Sequence, residues 1–300
     1  MEKTLISVVG PTAIGKTKLA IRLAQYYDTE ILSADSRQFY KEMEIGTAVP
    51  DFEELRLAKH HFIQFKSIFE NYSVGDFERD AIQLLEELFQ SKEIVIMVGG
   101  SGLYIDAVTK GLDDFPKIDS NIRRKLNERL TNEGIGQLQE ELKISDPVYY
   151  QTVDLENPHR VVRALEVCIG SGKPYSTFLS PENKKRAFRT VTVGLKANRA
   201  FVYERINDRV DQMVEKGLIK EAKNLKEHEA LNALQTVGYK ELFNYFNGEW
   251  SLDFAISEIK KNTRRFAKRQ MTWFKKNEDI IWVPYDVSTK ELLSELNQKL

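Results

Sequence analysis

A single cysteine, Cys168, stands in 300 residues. One thiol excludes an internal disulfide and a cysteine-rich zinc site, and it agrees with a reducing compartment. An excess of one charge is also missing: 44 Lys and Arg against 45 Asp and Glu leave a formal net charge of −1. A uniformly basic nucleic-acid coat is thereby excluded, although a local basic patch is not. Long apolar runs are absent too. The strongest, Ile94–Val98, is far below the ~20 residues that span a bilayer. The opening MEKTLISVVG has too short an apolar stretch for a signal peptide. These absences predict a soluble, cytoplasmic chain without membrane contact, and a monomer is expected. No internal repeat or low-complexity stretch occurs.

What is present is ordinary for a folded protein: 42% hydrophobic and 30% charged residues, enough to exclude bulk disorder and to bury a large core. Short apolar runs at Leu5–Val9, Glu30–Ser33, His61–Phe65 and Ile94–Val98 alternate with helical patterns at Lys16–Tyr27 and Asp76–Phe89. That alternation predicts a parallel α/β sheet. From Asp119 to about Gly172 the periodicity is helical only, over Ile122–Leu130, Ile135–Leu142 and Val161–Ile169. Strand character returns at Arg189–Lys196 and, late, at Ile280–Val283. The expected organisation is a core begun by residues 1–112, an all-helical insertion over 113–187, and core completion with a helical C-terminal region over 188–300.

Gly10, Pro11, Thr12, Ala13, Ile14, Gly15, Lys16 and Thr17 match G-x4-G-K-[ST] at every fixed position, after a strand and at the start of a helix. Glycines let the backbone wrap a phosphate, and the amides at a helix N-terminus point at it. Lys16 adds a point charge and Thr17 a hydroxyl for Mg²⁺. A phosphate or diphosphate ligand follows; ATP hydrolysis does not. Ile94–Val98 runs straight into Gly99-Gly100-Ser101-Gly102, so no Walker-B aspartate follows that strand. Ligands in open α/β sheets sit at the carboxyl ends of strands. Asp35, ending the second strand, and residues 99–101 should therefore both face the phosphates. The fold class is α/β, a P-loop NTPase-like parallel sheet with an all-helical insertion.

Several segments together resemble the tRNA dimethylallyltransferases (tRNA isopentenyltransferases). They are GPTAIGKT (10–17), DSRQFY (35–40), IGTA (45–48), GGSGLY (99–104), NPHRVVRALEV (157–167), VGY (237–239) and TRRFAKRQMTWF (263–274). They lie in family order over nearly the whole chain. The resemblance implies transfer of a dimethylallyl group from its diphosphate to N6 of the adenosine 3′ to the anticodon, with Mg²⁺ as cofactor and the anticodon stem-loop of tRNA as partner. It implies that Arg205 and Arg209, four apart and so on one helix face, contact the diphosphate. Lys16 and Arg205 then act beside Asp35, the candidate base for a weakly nucleophilic amine. Without the resemblance Asp35 also reads as a helix N-cap, and the two arginines as a solvated face.

By the same resemblance Asp35, Ser36, Arg37 and Gln38 contact tRNA. Ser101 joins them, standing where the family usually carries threonine, and Arg123 is a further candidate. His159, Arg160, Val161, Val162 and Arg163 follow Asn157-Pro158 and are assigned to tRNA likewise. Phe39, Tyr40 and Tyr104 read equally as cavity wall or as core. Residues 260–276 carry eight Lys and Arg, Arg265 and Arg269 among them, and no acid. Ile259, Phe266 and Trp273, seven apart, predict a buried stripe flanked by positive charge that meets RNA backbone. Three rivals stay open: an isopentenyltransferase acting on free adenylates, a P-loop kinase, and a non-catalytic RNA-binding module.

Overall fold

The structure, a computed structural model, describes residues 2–180 and 184–299. Six strands form one all-parallel sheet: β1 (Thr4–Val9), β2 (Ile31–Ser33), β3 (His60–His61), β4 (Ile94–Val98), β5 (Arg189–Lys196) and β6 (Ile281–Pro284), in the order β3-β2-β4-β1-β5-β6. The helices before the insertion are α1 (Lys16–Tyr26), α2 (Phe52–Leu57), α3 (Val74–Leu88) and α4 (Gly102–Lys110). Those of the insertion are α5 (Ser120–Glu133), α6 (Ile135–Ser145), α7 (Pro147–Tyr150) and α8 (Pro158–Ser171). The remainder are α9 (Arg199–Glu215), α10 (Leu218–Asn224), α11 (Tyr239–Phe246), α12 (Leu252–Phe274) and α13 (Thr289–Asn297).

Two compact units result, one of residues 1–110 with 185–300, the other of 111–184. In the first, β1 and β4 are the central, doubly covered strands. Their side chains alternate between faces. Leu5, Val9, Val95 and Met97 enter one core with residues of α3, α4, α10, α11 and α12. Ile6, Val8, Ile96 and Val98 enter the other with residues of α1, α9 and α13. The second unit packs α5, α6 and α8 on Leu126, Leu138, Leu142, Val161, Val162 and Leu165. The buried Asp146 carboxylate stitches it: Oδ1 accepts from the Tyr149 amide at 2.9 Å and the Ser176 hydroxyl at 2.9 Å, Oδ2 from the Ser176 amide at 2.6 Å. Among the described residues no helix is long and apolar enough to cross a membrane.

One predicted strand is corrected. β3 ends at His61 rather than running to Phe65. Phe62 (φ 62°) and Gln64 (φ 46°) are left-handed, which breaks the pleat. The turn lets Phe62 and Phe65 reach the aromatic cluster: Phe65 meets Phe39 edge-on at 5.7 Å, and Phe62 meets Phe77 at 5.2 Å.

Candidate active site

The loop between β1 and α1 is shaped as an anion cradle. Gly15 caps α1 at φ 105° with no side-chain cap and no acid in the first turn, so the first amides of the helix stay available. Gly10 has φ 142°, and a Cβ there would lie 2.9 Å from the Leu195 carbonyl oxygen. No other residue fits. Lys16 Nζ donates to the Pro11 carbonyl at 2.8 Å. Part of its side chain is still accessible, yet dense protein around the ammonium pushes its pKa down to about 8; Asp35 opposes this and Arg209 adds to it. α9 brings both arginines to the loop. Arg205 Nε donates to the carbonyl of Ala13 at 2.7 Å, and Arg209 Nη1 lies 3.5 Å from Thr12 Oγ1. Burial lowers the pKa of Arg209, with Asp35 pulling the other way; the group remains a cation at physiological pH.

Beside the cradle opens a cavity of about 750 Å³. Asp35, Ser36, Arg37, Ser101, Arg209 and Arg269 line it, with Tyr104, Val237, Trp250, Phe266 and Trp273 as apolar wall. Asp35 Oδ1 accepts from the Arg37 amide at 3.1 Å, closing a tight turn rather than capping a long helix. The Ser36 amide donates to Ser101 Oγ at 3.3 Å, and the two hydroxyls also meet at 3.3 Å. The hydroxyl at position 101 thus joins the 35–38 turn to the 99–102 loop. Arg37 Nη1 donates to the carbonyls of Asn232 and Ala233 at 2.9 and 3.0 Å, so one guanidinium nitrogen is committed to the protein and ties the turn to the 232–233 segment.

Some sequence-derived assignments change. Gln38 is not on the cavity wall. Its Nε2 donates to the carbonyls of Thr47 and Ala48 at 3.2 and 2.9 Å, and its Oε1 accepts from Ser33 Oγ at 3.2 Å, so it braces the 45–48 segment instead of presenting a free edge. Phe39 and Tyr40 are core, whereas Tyr104 faces the cavity. Val161 and Val162 are buried in the helical unit, 0 and 2% exposed, and their side chains cannot touch a partner. His159 and Arg160 on the same turn are exposed. Arg123 and Arg163 converge on the buried Glu166, Arg123 Nε at 3.0 Å and Arg163 Nη1 at 2.8 Å. Burial alone would raise the Glu166 pKa; the two guanidinium hydrogen bonds outweigh it and hold the carboxyl below its usual range.

The predicted stripe on α12 is also corrected. Ile259 is buried, but Phe266 and Trp273 are 38 and 37% exposed and face the cavity. The buried positions of this helix are Ala255, Ile259, Ala267, Gln270 and Phe274, so its inner face is narrower and contains a polar residue. Of the eight basic residues of 260–276, six lie on α12 and two just past its end. Lys260 pairs with Asp211, Lys261 with Glu258, Arg264 donates to Asn207, and Arg265 Nη1 donates to Asn262 Oδ1 at 3.4 Å. Arg265, Lys268, Arg269, Lys275 and Lys276 are exposed.

Sequence reading alone missed three groups. Glu221 accepts from the amides of Glu44, Ile45 and Gly46 at 2.8–3.0 Å and from the Tyr239 hydroxyl at 2.6 Å, clamping the segment that supplies Gly46 and Thr47 to the wall. Glu241, also on the wall, accepts from the Gly238 amide and from Asn262 Nδ2, both at 2.8 Å. Gln270 is the third. The partners of Glu221 and Gln270 lie up to 258 residues away in the chain, so no local pattern announces those two.

Among the described residues no group of three or more His, Cys, Asp or Glu side chains is arranged to hold a metal ion. The half-exposed Thr17 hydroxyl at the start of α1 suits a cation that takes most of its ligands from phosphate and water, as Mg²⁺ does.

The family model for IPP transferases matches residues 38–277. A tRNA dimethylallyltransferase of Christiangramia forsetii is 57% identical over 300 residues, covering 100% of this chain and 99% of that one. One of Flavobacterium johnsoniae is also 57% identical, covering 99 and 98%. A tRNA isopentenylpyrophosphate transferase from Bacillus halodurans superposes with a TM-score of 0.71 at 38% identity, covering 100% of this chain and 95% of that one. A eukaryotic dimethylallyltransferase described as acting on tRNA superposes at 0.79 with 26% identity, covering 99 and 77%. The shared P-loop core, the match across most of the length and the identity of these relatives make this chain a member of the IPP transferase family.

Proposed function

We propose that the chain transfers the dimethylallyl group of dimethylallyl diphosphate to N6 of the adenosine 3′ to the anticodon of tRNA, releasing diphosphate. The observation that carries this reading is the placement of Asp35 and Ser101 on one cavity wall with Arg209, whose guanidinium reaches the phosphate loop. The amides of residues 13–17, Lys16, Arg205 and Arg209 hold the diphosphate and meet the charge that grows on it as the C1–O bond breaks. The C1–O electron pair leaves with the diphosphate. The N6 lone pair forms the new C1–N bond, and the displaced N6 proton passes to Asp35. The Thr17 hydroxyl would hold Mg²⁺ here, and the ion would supply positive charge to the leaving group.

The acceptor base must leave its stack, at a cost of a few kcal/mol. The volume of the cavity suits a flipped purine together with a five-carbon chain. Tyr104, Val237, Trp250 and Phe266 keep water from an allylic centre. Ser36, Arg37, Ser101, Arg265 and Arg269 meet the anticodon loop. Arg123, His159, Arg160 and Arg163 of the 111–184 unit meet the stem. The reaction runs in the cytoplasm, in one copy of the chain.

The test is mass spectrometry of nucleosides from tRNA incubated with the protein, Mg²⁺ and labelled dimethylallyl diphosphate, with free AMP in a parallel tube. The expected product is dimethylallyl-adenosine at the position following the anticodon. Label in AMP alone replaces this reading with an adenylate isopentenyltransferase, and label in neither removes it.

A further inference from the structure

We propose that Gln270 is a positioning residue for the transfer: its amide ties the phosphate cradle to the acceptor-side loop and so sets the gap that the allyl carbon crosses. The inference rests on the prenyl-transfer reading above.

Gln270 projects from α12 and is 6% exposed. Its Oε1 accepts from the Thr12 amide at 2.8 Å, and its Nε2 donates to the Gly100 carbonyl at 3.0 Å. A primary amide offers an acceptor and a donor side by side in one rigid plane. The Thr12 amide, unlike those at the start of α1, is therefore committed to the protein and not to a phosphate. On the other side the tie continues. Gly100 precedes Ser101, which holds Ser36, which adjoins Asp35. One bonded path thus links the loop for the leaving group to the carboxylate for the amine.

Gly100 supports this path. Its φ lies outside the left-handed region, so the backbone does not require glycine there. A Cβ at this position would lie 2.2 Å from Gln270 Nε2 and 3.7 Å from Lys16 Nζ. Residue 100 therefore lacks a side chain because the glutamine passes there.

Two substrates that bind to two separate loops each keep their affinity when the loops drift apart, but the rate falls. A misplacement of about 1 Å costs on the order of a hundredfold. A residue that merely fills the core would instead lower the folded fraction and leave the rate per folded molecule unchanged. The experiment measures single-turnover transfer for wild type, Gln270→Ala, Gln270→Glu, Gly100→Ala and the Gly100→Ala/Gln270→Ala pair. Pyrophosphate and tRNA binding are measured separately, and thermal unfolding gives the folded fraction.

Gln270→Ala is expected to lose on the order of a hundredfold in rate per folded molecule, with both dissociation constants within threefold of wild type. Gln270→Glu keeps the acceptor for Thr12 but sets an oxygen against the Gly100 carbonyl, and should lose rate similarly. Gly100→Ala evicts the glutamine and should reproduce the loss even if Gln270→Ala folds poorly. The double variant should be no slower than Gln270→Ala, since once the glutamine is gone the nearest other atom to the new methyl is Lys16 Nζ at 3.7 Å, an ordinary contact distance. A wild-type rate in Gln270→Ala, a loss traced to weaker binding of one substrate, or additive losses in the pair would overturn the inference. Failure of wild type to transfer the group at all would instead remove the functional reading beneath it.

Discussion

Asp35 and Lys16 answer to different measurements although each feels the other's charge. On the proposed mechanism Asp35 takes a proton, so Asp35→Asn removes the base and keeps the shape. The expected result is a loss of 10²–10⁴-fold or more in transfer rate, with tRNA affinity close to wild type by filter binding; an unchanged rate takes Asp35 out of the mechanism. Lys16 contributes charge, and its pKa of about 8 makes that charge sensitive to pH. Burial favours the neutral amine, so the ammonium is fully present below pH 8 and thins as pH rises through it. Donor affinity should be flat up to about pH 8 and then weaken up to about tenfold per unit, while Lys16→Arg, which stays charged, should flatten the profile. For stability the sign is opposite. The folded pKa lies below the ordinary value of 10.5, so the unfolded chain binds more protons between the two, and stability attributable to this group rises with pH from 8 to 10.5. Calorimetric titration of pyrophosphate across pH 6.5–9.5 checks the binding half, and a titration without a break near 8 contradicts it.

On the proposed reading the basic run of the long helix α12 meets the acceptor. Lys260, Lys261 and Arg264 are engaged by Asp211, Glu258 and Asn207, so the exposed Arg265, Lys268 and Arg269, with Lys275 and Lys276 just past the helix end, set the salt response. tRNA binding should weaken steeply with salt, and Arg265→Ala or Arg269→Ala should each reduce the log–log slope by about 1; unchanged slopes in filter binding between 50 and 300 mM salt would exclude contact through this face. The same helix shows what a sequence does and does not disclose. Its basic run is a composition fact and was legible. Its inner face was not, because a seven-residue spacing of Ile259, Phe266 and Trp273 looks like core, whereas the last two are turned to a cavity that only the fold creates. The β1 loop was legible because every fixed position of the phosphate motif is local, and the central strands because doubly covered strands read as unbroken apolar runs. β3 was misjudged since its aromatic run, Phe62 to Phe65, leaves the sheet through two left-handed residues. Val161 and Val162 lie within a motif that also holds exposed Arg160, and motif membership says nothing about which way a helical residue points. Glu221 and Gln270 were silent because each works through backbone groups brought close by tertiary structure; Glu241 closes a local capping box with Gly238, but its place on the cavity wall is set by the fold.

At the scale of the whole molecule the informative feature is that the 111–184 unit leaves and returns at one place. A Cβ on Gly111 would meet the Lys184 side chain at 2.7 Å, so the two ends of the segment abut. The remaining chain keeps all six described strands and both faces of apolar packing, and no described residue of the segment belongs to either core cluster. Excision with closure by a short Gly/Ser linker should therefore leave a folded sheet protein, because closing a short loop between neighbouring ends costs little conformational entropy. The cavity and the phosphate loop belong to that remainder too. Such a variant should bind pyrophosphate within a few-fold of wild type and be stabilised by it, by about 2.7 kcal/mol at a hundred times the dissociation constant. It should lose tRNA affinity, because the exposed His159 and Arg160 and the Glu166-bound Arg123 and Arg163 leave with the segment. With four cationic or ionisable contacts gone, the log–log salt slope of tRNA binding should fall by about 2–4. The measurements are circular dichroism, pyrophosphate calorimetry and filter binding on one preparation. Undiminished tRNA affinity in a folded, pyrophosphate-binding variant would show that the helical unit is not an RNA grip, and would leave recognition to α12 and the 35–38 turn alone.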